Sequence, residues 1–72
     1  MKEVQIIKEP VELYKILKFE GLVSSGGEAK MVIADGLVRL NGHVETQKRK
    51  KILAGDIVDF AGEKLRVQIR KP

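Results

Sequence analysis

Hydrophobic and polar positions change period twice along this chain, and each change marks a different kind of element. "EVQII", Glu3 to Ile7, places Val4 and Ile6 on one face of a short first strand. Pro10 stops that strand and pre-sets the backbone for a helical first turn. Leu13, Ile16 and Leu17 recur at helical spacing, so "VELYKILKFEG" predicts a helix of about three turns. Glu9 or a neighbour would cap its start, Glu12 suits the positive end of its dipole, and Gly21 ends it. Lys15 and Lys18 fall on its more exposed side.

A second helix opens in "SSGGEAK", Ser24 to Lys30. Ser24 or Ser25 can cap it, and Ser25 with Glu28 has capping-box separation. Ala29, Val32 and Ile33 supply its buried stripe, Met31 and Ala34 lie at the stripe's edges, and Gly36 terminates it. The run is short, so its stability must come from packing rather than propensity.

After Gly36 the period becomes alternating, with Val38 and Leu40 on one face and Leu37 and Arg39 on the other. Asn41–Gly42 predicts a type I′ hairpin turn, with "HVET" as the return strand. "QKRKK" has no apolar periodicity and reads as a solvated loop or irregular edge. "LAGDIV" places a glycine–aspartate turn before another strand, and "AGEK" makes the last turn. "LRVQIR" then alternates, with Leu65, Val67 and Ile69 inward. The expected fold class is α+β: two short packed helices in a helix-turn-helix-like arrangement, against a small, mostly antiparallel, strand-rich half.

Length and composition narrow the function. At 72 residues the chain is expected to form one domain, 1–72, near the lower limit for a self-sufficient core. It has no cysteine to reinforce that core with a disulfide or a thiolate metal site. No apolar run is long enough to span a bilayer, and "MKEVQIIKEP" lacks a signal peptide's apolar centre, so a cytoplasmic location without membrane partners is expected. Fourteen Lys and Arg against ten Asp and Glu leave +4, which favours an anionic partner. Lys48, Arg49, Lys50 and Lys51 are consecutive. Four like charges repel one another without a partner, although such a run also suits a solvated face.

Catalytic readings fail on the motifs. A P-loop needs a preceding strand and a Gly-Lys-Ser/Thr ending; "SSGGEAK" follows a helix and lacks that ending. A dinucleotide fold is larger than this chain. Asp56, Asp59 and Glu63 lie at turns and strand starts rather than as an acid–base pair. His43 stands alone beside a turn, with no second residue spaced to share a metal. No enzyme activity, metal, cofactor or small-molecule substrate is expected.

The order of these elements resembles the S4 RNA-binding domain. In that pattern a helix with an apolar and basic face precedes a Ser/Gly-x-Glu-Ala-Lys/Arg helix start. A "G-x-V-x-V/L-N-G" strand and turn follow, and later a Gly-Asp. The matching positions are Ile16, Lys18 and Leu22, then Gly27, Glu28, Ala29, Lys30 and Ile33, then Gly36, Val38, Leu40, Asn41 and Gly42, then Gly55–Asp56. The resemblance runs over about residues 9 to 62 and is similar to the small stand-alone bacterial S4 proteins. One position departs: where many members carry an arginine just before the second helix, this chain has Gly26, while "QKRKK" adds basic residues elsewhere.

The resemblance implies non-catalytic binding of structured RNA, ribosomal or ribosome-related, by phosphate and shape contacts from a basic groove. Lys18 and Lys30 would flank the groove between the helices. Ser24, Ser25, Gly26 and Gly27 lie where a helix N-terminus offers N–H groups to a phosphate, although capping uses the same atoms. Gln47 and the basic run Lys48, Arg49, Lys50 and Lys51 would complete the contacts. Tyr14 and Phe19 could stack on bases, though helical spacing assigns at least one to the core. The competing readings are a protein-interaction module with a basic face and non-specific DNA binding.

Overall fold

The computed structural model describes residues 1–70. Strand β1 (Lys2–Ile6) leads through a two-residue strand β2 (Val11–Glu12) into helices α1 (Leu13–Phe19) and α2 (Gly26–Ala34). Strands β3 (Val38–Leu40), β4 (His43–Val44), β5 (Lys51–Ile52), β6 (Ile57–Phe60) and β7 (Glu63–Ile69) follow. Five strands form one sheet in the order β1-β7-β6-β3-β4, and β2 pairs with β5 in a second, two-stranded sheet. All pairings are antiparallel except β1 with β7, which run parallel from Lys2 opposite Leu65 to Ile6 opposite Ile69. The α+β expectation holds.

Alternation along each strand turns one sheet face toward the helices. Val4, Ile6, Val38, Val58, Leu65 and Val67 are buried there, against Leu13, Ile16 and Leu17 of α1 and Ala29, Val32 and Ile33 of α2. Ile52 of β5 joins this core with no exposed surface. Burying one such aliphatic side chain is worth about 1.5–3 kcal/mol.

Both helices end in one motif. After α1, Gly21 N–H donates to the Lys18 carbonyl and Leu22 N–H to Leu17; after α2, Gly36 donates to Ile33 and Leu37 to Val32. Gly21 and Gly36 have φ of 71° and 78°, the left-handed conformation this motif requires.

Three local expectations need correction. Helix α1 starts at Leu13 rather than beside Pro10, because the backbone of Val11 and Glu12 is committed to pairing with Ile52 and Lys51. The return strand after Asn41–Gly42 closes after His43 and Val44, although Glu45 N–H still donates to the Val38 carbonyl. Strand β1 stops at Ile6, which leaves Ile7 79% exposed.

The "NG" and "GD" turns, far apart in sequence, are joined. The Asn41 side chain accepts from Ile57 N–H at 2.8 Å and donates to Asp56 Oδ1 at 3.1 Å. Asp56 Oδ2 in turn accepts from Leu53 N–H at 2.8 Å. Asn41 therefore ties the β3–β4 turn to the entry of β6, a role beyond its turn conformation.

Candidate nucleic-acid interface

The basic run is a structured turn. Lys50 N–H donates to the Gln47 carbonyl at 3.1 Å, closing a four-residue turn over 47–50, and Gln47 N–H donates to Glu45 Oε2. Lys51 leaves the turn in β5, opposite Glu12. The turn docks on the start of α1, where the first N–H groups of a helix lack intrahelical acceptors. Leu13 N–H donates to the Lys50 carbonyl at 2.9 Å and Tyr14 N–H to the Lys48 carbonyl at 3.2 Å. Those two carbonyls supply the cap; Glu12, at the N-cap position, makes no side-chain capping bond. Glu9, expected to cap α1, instead accepts from Ala54 N–H at 2.7 Å. Backbone oxygens face the helix while the Lys48 and Arg49 side chains remain exposed, so docking the turn costs little of its positive charge.

Tyr14 is the centre of the arrangement. Lys30 Nζ lies 4.7 Å from its ring centroid, the Arg49 guanidinium 5.9 Å and Lys15 Nζ 6.0 Å. Three cations from α1, α2 and the basic turn thus gather round one half-buried ring, the geometry of cation–π attraction. Glu12 restrains two of them, with Oε1 at 3.3 Å from Lys15 Nζ and Oε2 at 3.8 Å from Arg49. A carbon at the Cβ position of Gly26 would sit 3.8 Å from the ring. That is ordinary contact, so Tyr14 abuts the start of α2 without excluding a side chain there.

The start of α2 is bracketed locally. Ser25 Oγ accepts from Glu28 N–H at 3.1 Å, while Glu28 Oε1 accepts from both the N–H and the hydroxyl of Ser24, at 2.6 and 2.9 Å. The capping box is therefore shifted by one residue on its carboxylate side. These bonds, the Ser24 amide first and its hydroxyl second, hold the Glu28 carboxyl below its ordinary value. Both serine side chains are thus occupied in capping. The N–H groups of Gly26 and Gly27, by contrast, have no acceptor among the described residues.

Of the residues singled out in the sequence, Gly26, Lys30 and Arg49 meet around Tyr14, with Gly27 beside them in the first turn of α2. Lys18 is exposed one helical turn beyond Tyr14. Lys48 and Lys50 contribute carbonyls to the cap of α1, and Gln47 contributes backbone bonds to its turn. Sequence reading missed Tyr14 as the hub, Lys15 as a member and Glu12 as their counter-ion. The three-residue spacing of Glu12 and Lys15 was the one available local signal. Among the described residues, no group of three or more His, Cys, Asp or Glu is placed to hold a metal ion. No helix among them is long and apolar enough to cross a membrane.

A profile of the S4 domain family matches residues 4–68, reaching beyond the resemblance at 9–62 into β1 and β7. The chain belongs to the S4 domain family. This S4 domain is 53% identical over 57 residues to "Putative RNA-binding protein YbcJ" of Escherichia coli (strain K12), across 79% of this chain and 81% of that protein. Over 59 residues it is 29% identical to "Probable ribosome maturation protein RlbA" of Bacillus subtilis (strain 168), across 82% of this chain and 83% of that one. The solution structure of YbcJ from E. coli, described as revealing an "alfaL motif involved in RNA-binding", matches it with a TM-score of 0.73 at 48% identity. That match covers 94% of this chain and 87% of the other. The S4 domain here is thus similar to the small bacterial S4 proteins in both sequence and fold.

Proposed function

We propose that this S4 domain is a non-catalytic binder of structured RNA, ribosomal or ribosome-related, that holds the phosphate backbone on the face centred on Tyr14. The observation carrying this reading is the convergence of Lys15, Lys30 and Arg49 on one ring, beside the acceptor-free N–H groups of Gly26 and Gly27. Lysine and arginine at fixed spacing position a phosphate chain, and a helix N-terminus adds neutral donors. Lys18, Lys48, Lys50 and Lys51 extend the positive surface along the backbone path. Ser24 and Ser25 hold the shape of the helix start, and Gln47 that of the basic turn. The relatives named for RNA binding and ribosome maturation support the class of target.

Charge by itself does not separate RNA from DNA or from an acidic protein. Preference for an RNA hairpin over its DNA counterpart does, because only RNA presents the 2′-hydroxyl and the A-form groove. An amide-resolved NMR titration with both hairpins at two salt concentrations is the test. Shifts concentrated at Lys15, Lys18, Ser24 to Lys30 and Gln47 to Lys51, stronger with RNA, are the expected result. In a matched binding assay, Arg49→Gln should flatten the log–log salt dependence by about one phosphate contact. Equal, diffuse shifts with RNA and DNA that vanish at the higher salt would sink the proposal and turn attention to protein partners.

A further inference from the structure

A groove of about 370 Å³ lies between the end of β1, the segment leading into β2, and α1. Ile6, Ile7, Pro10 and Val11 line it on one side and Phe19 on the other, with Lys8 and Lys15 also contributing. Its volume is near the lower end of the roughly 300–1,000 Å³ typical of small-molecule sites, a scale suited to one nucleotide rather than a folded element. We propose that this groove takes a single unpaired nucleotide of the bound RNA, its base stacked on Phe19 and its phosphate met by Lys8 and Lys15. The inference rests on the RNA-binding reading and extends it: the preferred RNA carries an unpaired nucleotide next to its structured part.

Three observations select a base as the occupant. The chain has three aromatic side chains, and only Phe19 offers an open face: Lys30 lies over Tyr14, and Phe60 packs against the core. Phe19 is 66% exposed and Ile7 beside the same groove 79%, so a flat apolar surface is presented to solvent without an internal partner. Lys15 lines this groove and also lies 6.0 Å from the Tyr14 ring, so the groove is continuous with the basic face. Glu12, the acid in the groove lining, is engaged by Lys15 and Arg49. Sequence-tolerant stacking on an exposed aromatic beside lysines is the physical mode by which proteins hold unpaired bases.

The test compares two RNA hairpins with the same stem and loop, one flush-ended and one carrying a three-nucleotide single-stranded tail. Each is titrated against the full chain and its Phe19→Ala and Phe19→Tyr variants. The tailed hairpin is expected to bind about tenfold more tightly than the flush one. Phe19→Ala sharply reduces that ratio, leaving only the phosphate contribution of Lys8 and Lys15, without weakening flush binding, and Phe19→Tyr, which keeps a stacking face, preserves it. In NMR spectra the Phe19 ring protons shift upfield with the tailed RNA alone. Equal binding of both hairpins by the unaltered chain overturns the inference while leaving RNA binding in place. A loss shared equally by both RNAs in Phe19→Ala overturns it as well. Shifts at Lys15, Lys18, Ser24 to Lys30 and Gln47 to Lys51 with both RNAs, but no Phe19 ring shift with either, also overturn it. Binding of neither RNA removes the underlying proposal instead.

Discussion

Helix α1 begins on carbonyl oxygens delivered by Lys48 and Lys50 from a turn distant in sequence, whereas α2 begins on the hydroxyl of its own Ser25. The two helices nonetheless finish on the same glycine motif. The difference separates two ways of meeting one requirement, that the first N–H groups of a helix find acceptors. At α2 the side-chain acceptor is local, and the N–H groups of Gly26 and Gly27 have no acceptor among the described residues. At α1 the acceptor is a tertiary contact, which carries Arg49 over the Tyr14 ring while completing the helix. The basic turn is therefore both a structural cap, through its backbone, and an electrostatic surface, through its side chains.

The largest effect is expected at Ile52, which anchors β5 and lies opposite Val11. Ile52→Ala should destabilise the fold by about 3 kcal/mol in equilibrium denaturation. Hydrogen exchange at Leu13 and Tyr14 should accelerate more than at Ala29, because the pairing that delivers the carbonyl cap is loosened. Equal acceleration at all three would refute a distinct tertiary origin for the start of α1. At α2 the local cap predicts a smaller effect: Ser25→Ala costs about 1 kcal/mol, and Ser25→Gly a few tenths. A cost for Ser25→Ala similar to that at Ile52 would show that α2 also depends on a distant contact.

Glu12→Gln removes the counter-ion of Lys15 and Arg49 and should leave stability within about 0.5 kcal/mol, as exposed pairs do. The same change should tighten RNA binding roughly threefold at low salt by removing a like charge from the phosphate path. Weaker binding would mean that Glu12 is needed to position Arg49. The Ser24–Glu28 bracket gives the last test. Because folding lowers the Glu28 pKa, its contribution is complete above the unfolded-state value near 4.5 and is lost as pH falls through the lower folded value. The Ser24 amide resonance should titrate with the Glu28 carboxyl at that lower midpoint, and a midpoint at or above 4.5 would dissolve the bracket.

Legibility followed the same division. The apolar stripes Leu13, Ile16, Leu17 and Ala29, Val32, Ile33 were readable because helical spacing is imposed by local geometry. Gly21, Gly36 and the Asn41–Gly42 turn were readable because left-handed backbone restricts residue choice. The parallel pairing of β1 with β7 left no local trace, since strand partners are chosen by burial of a shared face. For the site, Lys30, Gly26 and the basic run stood out as types and charges. Their meeting at Tyr14 did not, because an aromatic at helical spacing carries no mark of what will surround it.

Local sequence accounts for the two helical stripes and their glycine ends, most of the sheet's inward positions, the cap of α2 and a surplus of positive charge. Each depends on the periodicity, conformational range or ionisation of neighbouring residues. Tertiary structure alone decided where that charge converges, which carbonyls start α1, how Asn41 reaches Asp56 and which aromatic face stays open. Those outcomes are set by the packing of elements distant in the chain, where buried apolar faces fix the geometry and the charged groups are carried to their places.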